Sequence, residues 1–399
     1  MKRVVRSQKP PWKLQRKTLE IHGGGSLCEH YLRPPVHRVV AYALGSFRRA
    51  ARLFSGKTQG FIYSRINNET VDYLERRYAS LEGAERALGT ASGMAAIKLA
   101  IEFLAHRGHV VASNRLYGGV FHLLAQQLPK LGIETTFVAN PQDLTQWVRA
   151  VRPGATRLLY VETPSNPLID IFDIRPLADI AHTYEIPLVV DSTLATPALL
   201  RPLKHSADIV VASLSKYIGD GKAIGGIVAG KAACIDDMRL NWFRDSGCCM
   251  SPDTASIFLD DLESLTARMQ EHCKNTERIA QFLQNHPKVL RLHYPTIGKD
   301  AQKRRTLMPY GFGGLMAFEV KGGIAAACRA LESLYLFWHT ANIGESRSLV
   351  IHPWTTTHGQ MPDAEKQKAG ITDGMLRLSI GREDPTDLEK DLAQALKNA

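Results

Sequence analysis

Between residues 109 and 215 the chain alternates near-continuous apolar runs with amphipathic stretches, and this pattern restricts the fold more than any other feature. The runs are HVVAS (109–113), IETTFVA (133–139), RLLYVET (157–163), PLVVDST (187–193) and DIVVASLS (208–215). Stretches such as GVFHLLAQQLPKL and IRPLADIAHTYE lie between them and repeat apolar residues at helical spacing. A strand with no polar alternation is buried on both faces, and strands joined through helices run parallel. The pattern therefore predicts an α/β domain with a mainly parallel sheet covered on both sides. Ligands of such sheets bind beyond the carboxyl ends of the strands, so polar residues at those ends are the first candidates for function.

Those ends are chemically coherent. RLLYVET ends in Glu162 and runs into Thr163-Pro164-Ser165-Asn166-Pro167; PLVVDST ends in Asp191, Ser192 and Thr193; DIVVASLS ends in Ser213 and Ser215, with Lys216 next. An amide, a carboxylate and an amine are thus delivered from three strand ends. A buried carboxylate keeps a neighbouring heteroaromatic nitrogen protonated, and a desolvated lysine amine is a nucleophile toward an aldehyde. Together these are the requirements of pyridoxal 5'-phosphate. Its phosphate needs backbone N–H groups and hydroxyls. Ala91-Ser92-Gly93-Met94, immediately before the helical AAIKLAIEFLA, supplies small residues at a helix N-terminus, and Ser213 and Ser215 add hydroxyls. Read singly, Ser92-Gly93 is an ordinary helix start, Asp191 a helix cap, Lys216 a solvated lysine and Tyr117-Gly118-Gly119 a turn; their chain order at successive strand-to-helix junctions favours the cofactor.

The rest of the chain sets the boundaries. Residues 1–62 carry Gly23-Gly24-Gly25 and Pro34-Pro35 and read as an irregular N-terminal arm; 63–250 form the large domain; 251–399 hold a long linking helix from Pro252 and a smaller α+β domain with strands LMAFEV, SLVIH and MLRLSI. Of the 399 residues, 44% are apolar and 22% charged, as in globular chains, and no run of about 18 apolar residues could span a bilayer. Neither a membrane partner nor a secretory leader is expected. The net charge of +11 is concentrated in the arm, where Lys2, Arg3, Arg6, Lys9, Lys13, Arg16 and Lys17 precede the first acid, Glu20. No zinc-finger, RNP-type or basic-zipper pattern accompanies them, so nucleic acid is not expected as a partner. The six cysteines (Cys28, Cys234, Cys248, Cys249, Cys273 and Cys328) form neither a C-x-x-C pair nor a metal spacing, which fits a reducing, cytoplasmic compartment and no metal site. His352 and His358, flanking Pro353 and Trp354, read as loop packing.

The stretches YSRINNETVDYLERRYASLEGAERALGTASGMAAI, LYGG, YVETPSNP, VVDST, SLSKY, RSLVIHPWTTTH and LRLSIGRED resemble the Cys/Met-metabolism family of pyridoxal-phosphate enzymes, which includes cystathionine synthases and lyases, methionine γ-lyases and homoserine-ester sulfhydrylases. The resemblance spans roughly residues 34 to 395. It implies fold type I, with a seven-stranded sheet in the large domain. It also implies that Lys216 holds the cofactor as a Schiff base and then moves protons at Cα and Cβ, that Asp191 pairs with the pyridine nitrogen, that Tyr117 stacks on the ring and assists the leaving group, and that Asn166 bonds the ring hydroxyl. Ser92, Gly93, Met94, Ser213 and Ser215 would hold the phosphate, joined by Tyr63 and Arg65 of a neighbouring subunit. Arg377 would clamp the substrate α-carboxylate, with Asn342 beside it. A homo-oligomer with shared active sites, a dimer of dimers, and a small amino-acid substrate follow.

The sequence departs from the family pattern at Ser192 (usually Asn), at Leu194 (usually Phe), at Asn68-Glu69-Thr70 (usually Asn-Pro-Thr), and in a loop after Lys216 that is one residue shorter. The segment Asn342-Ile343-Gly344-Glu345-Ser346-Arg347-Ser348-Leu349 looks most like that of O-acetyl- or O-succinylhomoserine sulfhydrylases. The expected reaction is therefore γ-replacement on an activated homoserine ester, giving homocysteine. The alternative is a γ-lyase releasing a 2-oxo acid and ammonia from a γ-substituted amino acid such as methionine or cystathionine. A binding protein without turnover, prompted by the basic arm alone, is a third reading.

Overall fold

The computed structural model describes residues 13–24 and 33–399; Lys2, Arg3, Arg6, Lys9, Gly25 and Cys28 lie outside the described residues. Two compact units are formed, one from the described residues up to Phe103 with Ile209–Leu265, the other from Leu104–Asp208 with Thr266–Ala399. In chain order the described strands are β1 (Arg86–Thr90), β2 (His109–Ser113), β3 (Glu134–Val138), β4 (Thr156–Glu162), β5 (Leu188–Asp191), β6 (Ile209–Ser213), β7 (Gly226–Gly230), β8 (Val289–His293), β9 (Leu315–Val320), β10 (Trp338–His339), β11 (Leu349–Ile351) and β12 (Met375–Ser379). The first seven belong to a seven-stranded sheet and the last five to a five-stranded one. This is the α/β architecture of fold type I.

In the second unit β5, β4, β2 and β3 lie side by side in that order and run parallel. Every residue of β2 and β5 is buried, and all but Arg157 of β4, as their apolar composition requires. In the first unit the order is β1, β7, β6, with both pairings antiparallel. β1 and β7 are not among the sequence-expected strands; RALGT and GIVAG are short and contain glycine, which weakens the apolar signal of a strand. The five-stranded sheet has the order β10-β11-β12-β9-β8 and contains the three expected strands as β9, β11 and β12.

The arm is more regular than expected. Its described residues include helices Arg16–His22 and Phe47–Phe54, the second capped by Ser46, whose hydroxyl accepts the Arg49 N–H. The first is fixed to helix Glu69–Glu82 by the buried Arg77, whose guanidinium donates to the carbonyls of Gly23 and Glu20. Asn68 caps that long helix through the Thr70 N–H, and its amide donates to the His37 carbonyl and to Ser64 Oγ. Glu69 occupies the first helical position, where its carboxylate suits the helix dipole and lies 3.1 Å from His37 Nε2.

The long helical pattern after Pro252 forms two helices, Pro252–Leu262 and Leu265–Gln284. At the break, Glu263 and Ser264 donate to the carbonyls three residues back, Asp260 and Asp261, which ends the first helix in a tightened turn.

Candidate active site

In the first unit the phosphate-type residues form a cradle that only glycine permits. Helix Gly93–Ala105 begins at Gly93, and Ser92 Oγ accepts the Ala95 N–H at 3.1 Å. A Cβ on Gly93 would stand 2.5 Å from the Cβ of Ser213, the last residue of β6. A Cβ on Gly226, the first residue of β7, would stand 2.2 Å from the Ser92 carbonyl oxygen. Backbone and hydroxyl groups of Ser92, Gly93, Met94 and Ser213 are therefore gathered at a helix N-terminus of 13 residues, the surroundings a phosphate requires. Ser215 serves differently: its Oγ accepts the Gly225 N–H at 3.0 Å and donates to the Gly225 carbonyl at 3.2 Å, closing the base of the loop from β6 to β7. Lys216 follows, half-buried, in the turn after β6. The shortened loop then turns through Asp220 (φ 49°) and Gly221 (φ 72°) in the left-handed region.

Tyr63 and Arg65 occupy a half-exposed turn of the same unit, the guanidinium 5.8 Å from the Tyr63 ring centre and 3.4 Å from the Asp245 carboxylate. Arg239 supports this turn by donating to the Ile66 carbonyl. It also pairs with the buried Glu75, whose other oxygen accepts the Gly89 N–H at 2.8 Å.

The second unit carries the buried acids Asp191 and Glu162. Asp191 ends β5 and stands opposite Glu162, the last residue of β4, in the parallel register; both are buried. Asp191 Oδ1 accepts the Thr193 N–H at 2.9 Å, and its Oδ2 lies 3.4 Å from the Tyr160 hydroxyl, a donor held well above the usual phenol range by burial and the two acids. Glu162 Oε2 accepts the Tyr117 N–H at 2.8 Å. Burial and the facing Asp191 raise the Glu162 carboxyl well above the usual range; burial also raises Asp191, and its Thr193 and Tyr160 hydrogen bonds counter only part of that rise. Tyr117 leads into helix Gly118–His122 with its ring partly exposed.

Arg377 lies within β12, 3% exposed. Its Nη1 donates to Asn166 Oδ1 at 3.2 Å and its Nη2 to the Asn342 carbonyl at 3.1 Å. The three expected residues Arg377, Asn166 and Asn342 are thus together, with Asn342 acting on Arg377 through its backbone while its amide donates to Glu345 at 2.6 Å. His352 and His358 make packing contacts. His352 Nε2 donates to the Asp373 carbonyl at 2.8 Å, and His358 Nε2 to the Leu116 carbonyl at 3.4 Å. Burial, with Arg377 and Lys366 nearby, lowers His358 to about 4. Among the described residues no group of three or more His, Cys, Asp or Glu could hold a metal ion.

Each half of this chemistry fits a pyridoxal phosphate: a helix N-terminus that β6 and β7 approach closely because Gly93 and Gly226 lack a Cβ, for the phosphate, and a hydrogen-bonded, buried carboxylate for a protonated ring nitrogen. The description of the family agrees, since the model of the Cys/Met metabolism PLP-dependent enzymes matches residues 17–397. The chain belongs to this family and is a PLP-dependent enzyme. It is 37% identical, over 97% of its length and 98% of the relative's, to the O-acetyl-L-homoserine sulfhydrylase of Leptospira meyeri. It is 38% identical to the L-methionine gamma-lyase of Pseudomonas putida over 95% of this chain and 96% of that one. A solved structure from Campylobacter jejuni, of an O-acetylhomoserine (thiol)-lyase with N'-pyridoxyl-lysine-5'-monophosphate, superposes with a TM-score of 0.93 at 34% identity, covering 96% of this chain and 100% of that one.

Two contributors escaped the sequence reading. Tyr160 carried no assignment, although it is two positions before Glu162 and so shares its face of the strand. Gly226 was passed over because nothing in the sequence reports how closely Ser92 approaches it.

Proposed function

We propose that this enzyme catalyses γ-replacement on an O-acyl homoserine, with sulfide displacing the acyl carboxylate to give homocysteine. The observation that carries the reading is the Arg377 clamp, which suits the α-carboxylate of an amino acid, in a chain similar along nearly its whole length to homoserine sulfhydrylases. When bound, the cofactor supplies an electron sink that stabilises charge left on carbon after proton removal. Arg377 binds the α-carboxylate, its planar group already oriented by Asn166 and the Asn342 carbonyl. Lys216 would hold the cofactor through its Nζ, and the same amine, when not bound to the cofactor, would move the protons at Cα and Cβ, giving up the first before it takes the second. Asp191 would keep its negative charge to pair with the ring nitrogen, and Asn166 would hydrogen-bond the ring hydroxyl. Tyr117 would cover the ring and give a proton toward the departing oxygen. Ser92, Gly93, Met94 and Ser213 would bind the phosphate through hydroxyl and N–H groups, while Ser215 holds the loop base through Gly225.

The proposal includes a homo-oligomer, a dimer of dimers, in which Tyr63 and Arg65 reach the phosphate of a neighbouring subunit; their exposed turn supports this. It places the enzyme in the cytoplasm, with the free thiols Cys248, Cys249, Cys273 and Cys328 as support. No helix among the described residues is long and apolar enough to cross a membrane.

The second reading is γ-elimination, favoured by the comparable identity to L-methionine gamma-lyases. Incubation with O-acetylhomoserine, O-succinylhomoserine, cystathionine and methionine, with and without sulfide, separates the two. Homocysteine formed only with sulfide is the expected result; 2-oxobutyrate without homocysteine overturns γ-replacement in favour of the lyase.

A further inference from the structure

Glu162 has no part in the chemistry above, yet it adjoins two residues assigned to it, Asp191 and Tyr117. It is 4% exposed and faces Asp191, 5% exposed, across the β4–β5 register. Its carboxyl accepts the backbone N–H of Tyr117 at 2.8 Å and that of Asn166. One carboxyl group therefore ties down the segments carrying the ring-covering tyrosine and the amide that orients Arg377, while adjoining the acid assigned to the ring nitrogen. Two buried carboxylates in this arrangement cannot both stay charged without a cation for each. The hydrogen bonds decide between them. Asp191 receives three donors, the Thr193 N–H and hydroxyl and the Tyr160 hydroxyl, against the two backbone N–H groups on Glu162, which favours the ionised form on Asp191. Within this unit, the other charged or titratable groups around Glu162 are Tyr160 on its own strand, Arg377 bonded to Asn166 from β12, and His358 beneath Leu116. None of these is bonded to Glu162; Arg377 spends its two described bonds on Asn166 and Asn342.

We propose that Glu162 is a positioning residue: an uncharged carboxylic acid whose oxygens hold the Tyr117 and Asn166 backbones in place and leave the negative charge of the pair on Asp191. The inference rests on the assignment of Asp191 and Tyr117 to the cofactor. The raised titration range of Glu162 follows from the same geometry. Because folding raises this group above its unfolded value, wild-type stability falls as pH rises from the unfolded carboxylate range toward the folded one, and a neutral replacement removes that loss.

The test uses Glu162→Gln, Glu162→Leu and Asp191→Asn. Unfolding of the cofactor-free wild type and Glu162→Gln is measured from pH 4 to pH 8, and the loaded proteins are compared by Schiff-base absorbance, its pH dependence, and kcat and KM. The glutamine oxygen replaces the acceptor without charge. In Glu162→Gln the stability advantage over wild type should grow with pH, the absorbance maximum and its pH dependence should be kept, and kcat/KM should fall less than about tenfold. Glu162→Leu, which has no acceptor, should fall about 100-fold or more, chiefly in kcat. A Glu162→Gln variant with a shifted absorbance pH profile, a loss equal to that of Glu162→Leu, or no gain in stability with pH would show that the negative charge is used and would overturn the inference. If Asp191→Asn keeps full turnover, the cofactor assignment itself fails, whatever Glu162→Gln does.

Discussion

Arg377 Nη1 donates to Asn166 Oδ1 at 3.2 Å, although 211 positions separate the two residues in the chain. A fixed guanidinium binds a carboxylate with two parallel bonds, and lysine reproduces the charge without the fork. Arg377→Lys should lower kcat/KM about 100-fold, mainly by raising KM, with the cofactor absorbance kept. Steady-state kinetics on the amino-acid substrate checks this; an unchanged KM would remove Arg377 from substrate binding.

The cradle predicts a steric outcome. At Gly226 a methyl group would meet the Ser92 carbonyl at 2.2 Å, and backbone cannot yield as a flexible side chain can. Gly226→Ala should destabilise the protein by about 1–3 kcal/mol and should release the cofactor on dialysis. Melting temperature and residual absorbance measure the two effects separately.

The expected α/β alternation and the polar residues at the ends of β4, β5 and β6 were legible because apolar runs and the polar residues that end them are local patterns. The antiparallel β1 and β7 were not, since RALGT and GIVAG reveal themselves as strands only through pairing with each other. The helix Arg16–His22 depends in the same way on Arg77, a residue far along the chain. Asn342 lies beside Arg377, but only the structure shows that its carbonyl makes the contact and its amide turns to Glu345. The Glu69 departure has a local reason, a helix-start carboxylate beside His37.

The buried pair of Glu75 and Arg239 predicts a stability effect. Glu75→Ala leaves a guanidinium and the Gly89 N–H without their acceptor and should cost about 3–5 kcal/mol. Adding Arg239→Met should recover part of that loss. Denaturant unfolding of the single and double variants measures the coupling.

Acid stability should carry the signature of His358. Its folded value of about 4 is below the ordinary 6.5, so below pH 6.5 the unfolded chain takes up a proton that the folded protein refuses. Stability is lost as pH falls from about 6.5 toward 4, by about 3 kcal/mol in all. His358→Gln should flatten that part of the curve. Urea unfolding between pH 7 and pH 4 checks it; the same slope in both proteins would contradict the assignment.

The central claim is that the turn after β6 carries the reactive amine. Borohydride reduction of the cofactor-loaded protein, followed by digestion and mass spectrometry, reads this directly. The account predicts the pyridoxyl-phosphate mass on the peptide containing Lys216 and on no other lysine; the label on a different lysine, with Lys216 unmodified, would contradict it.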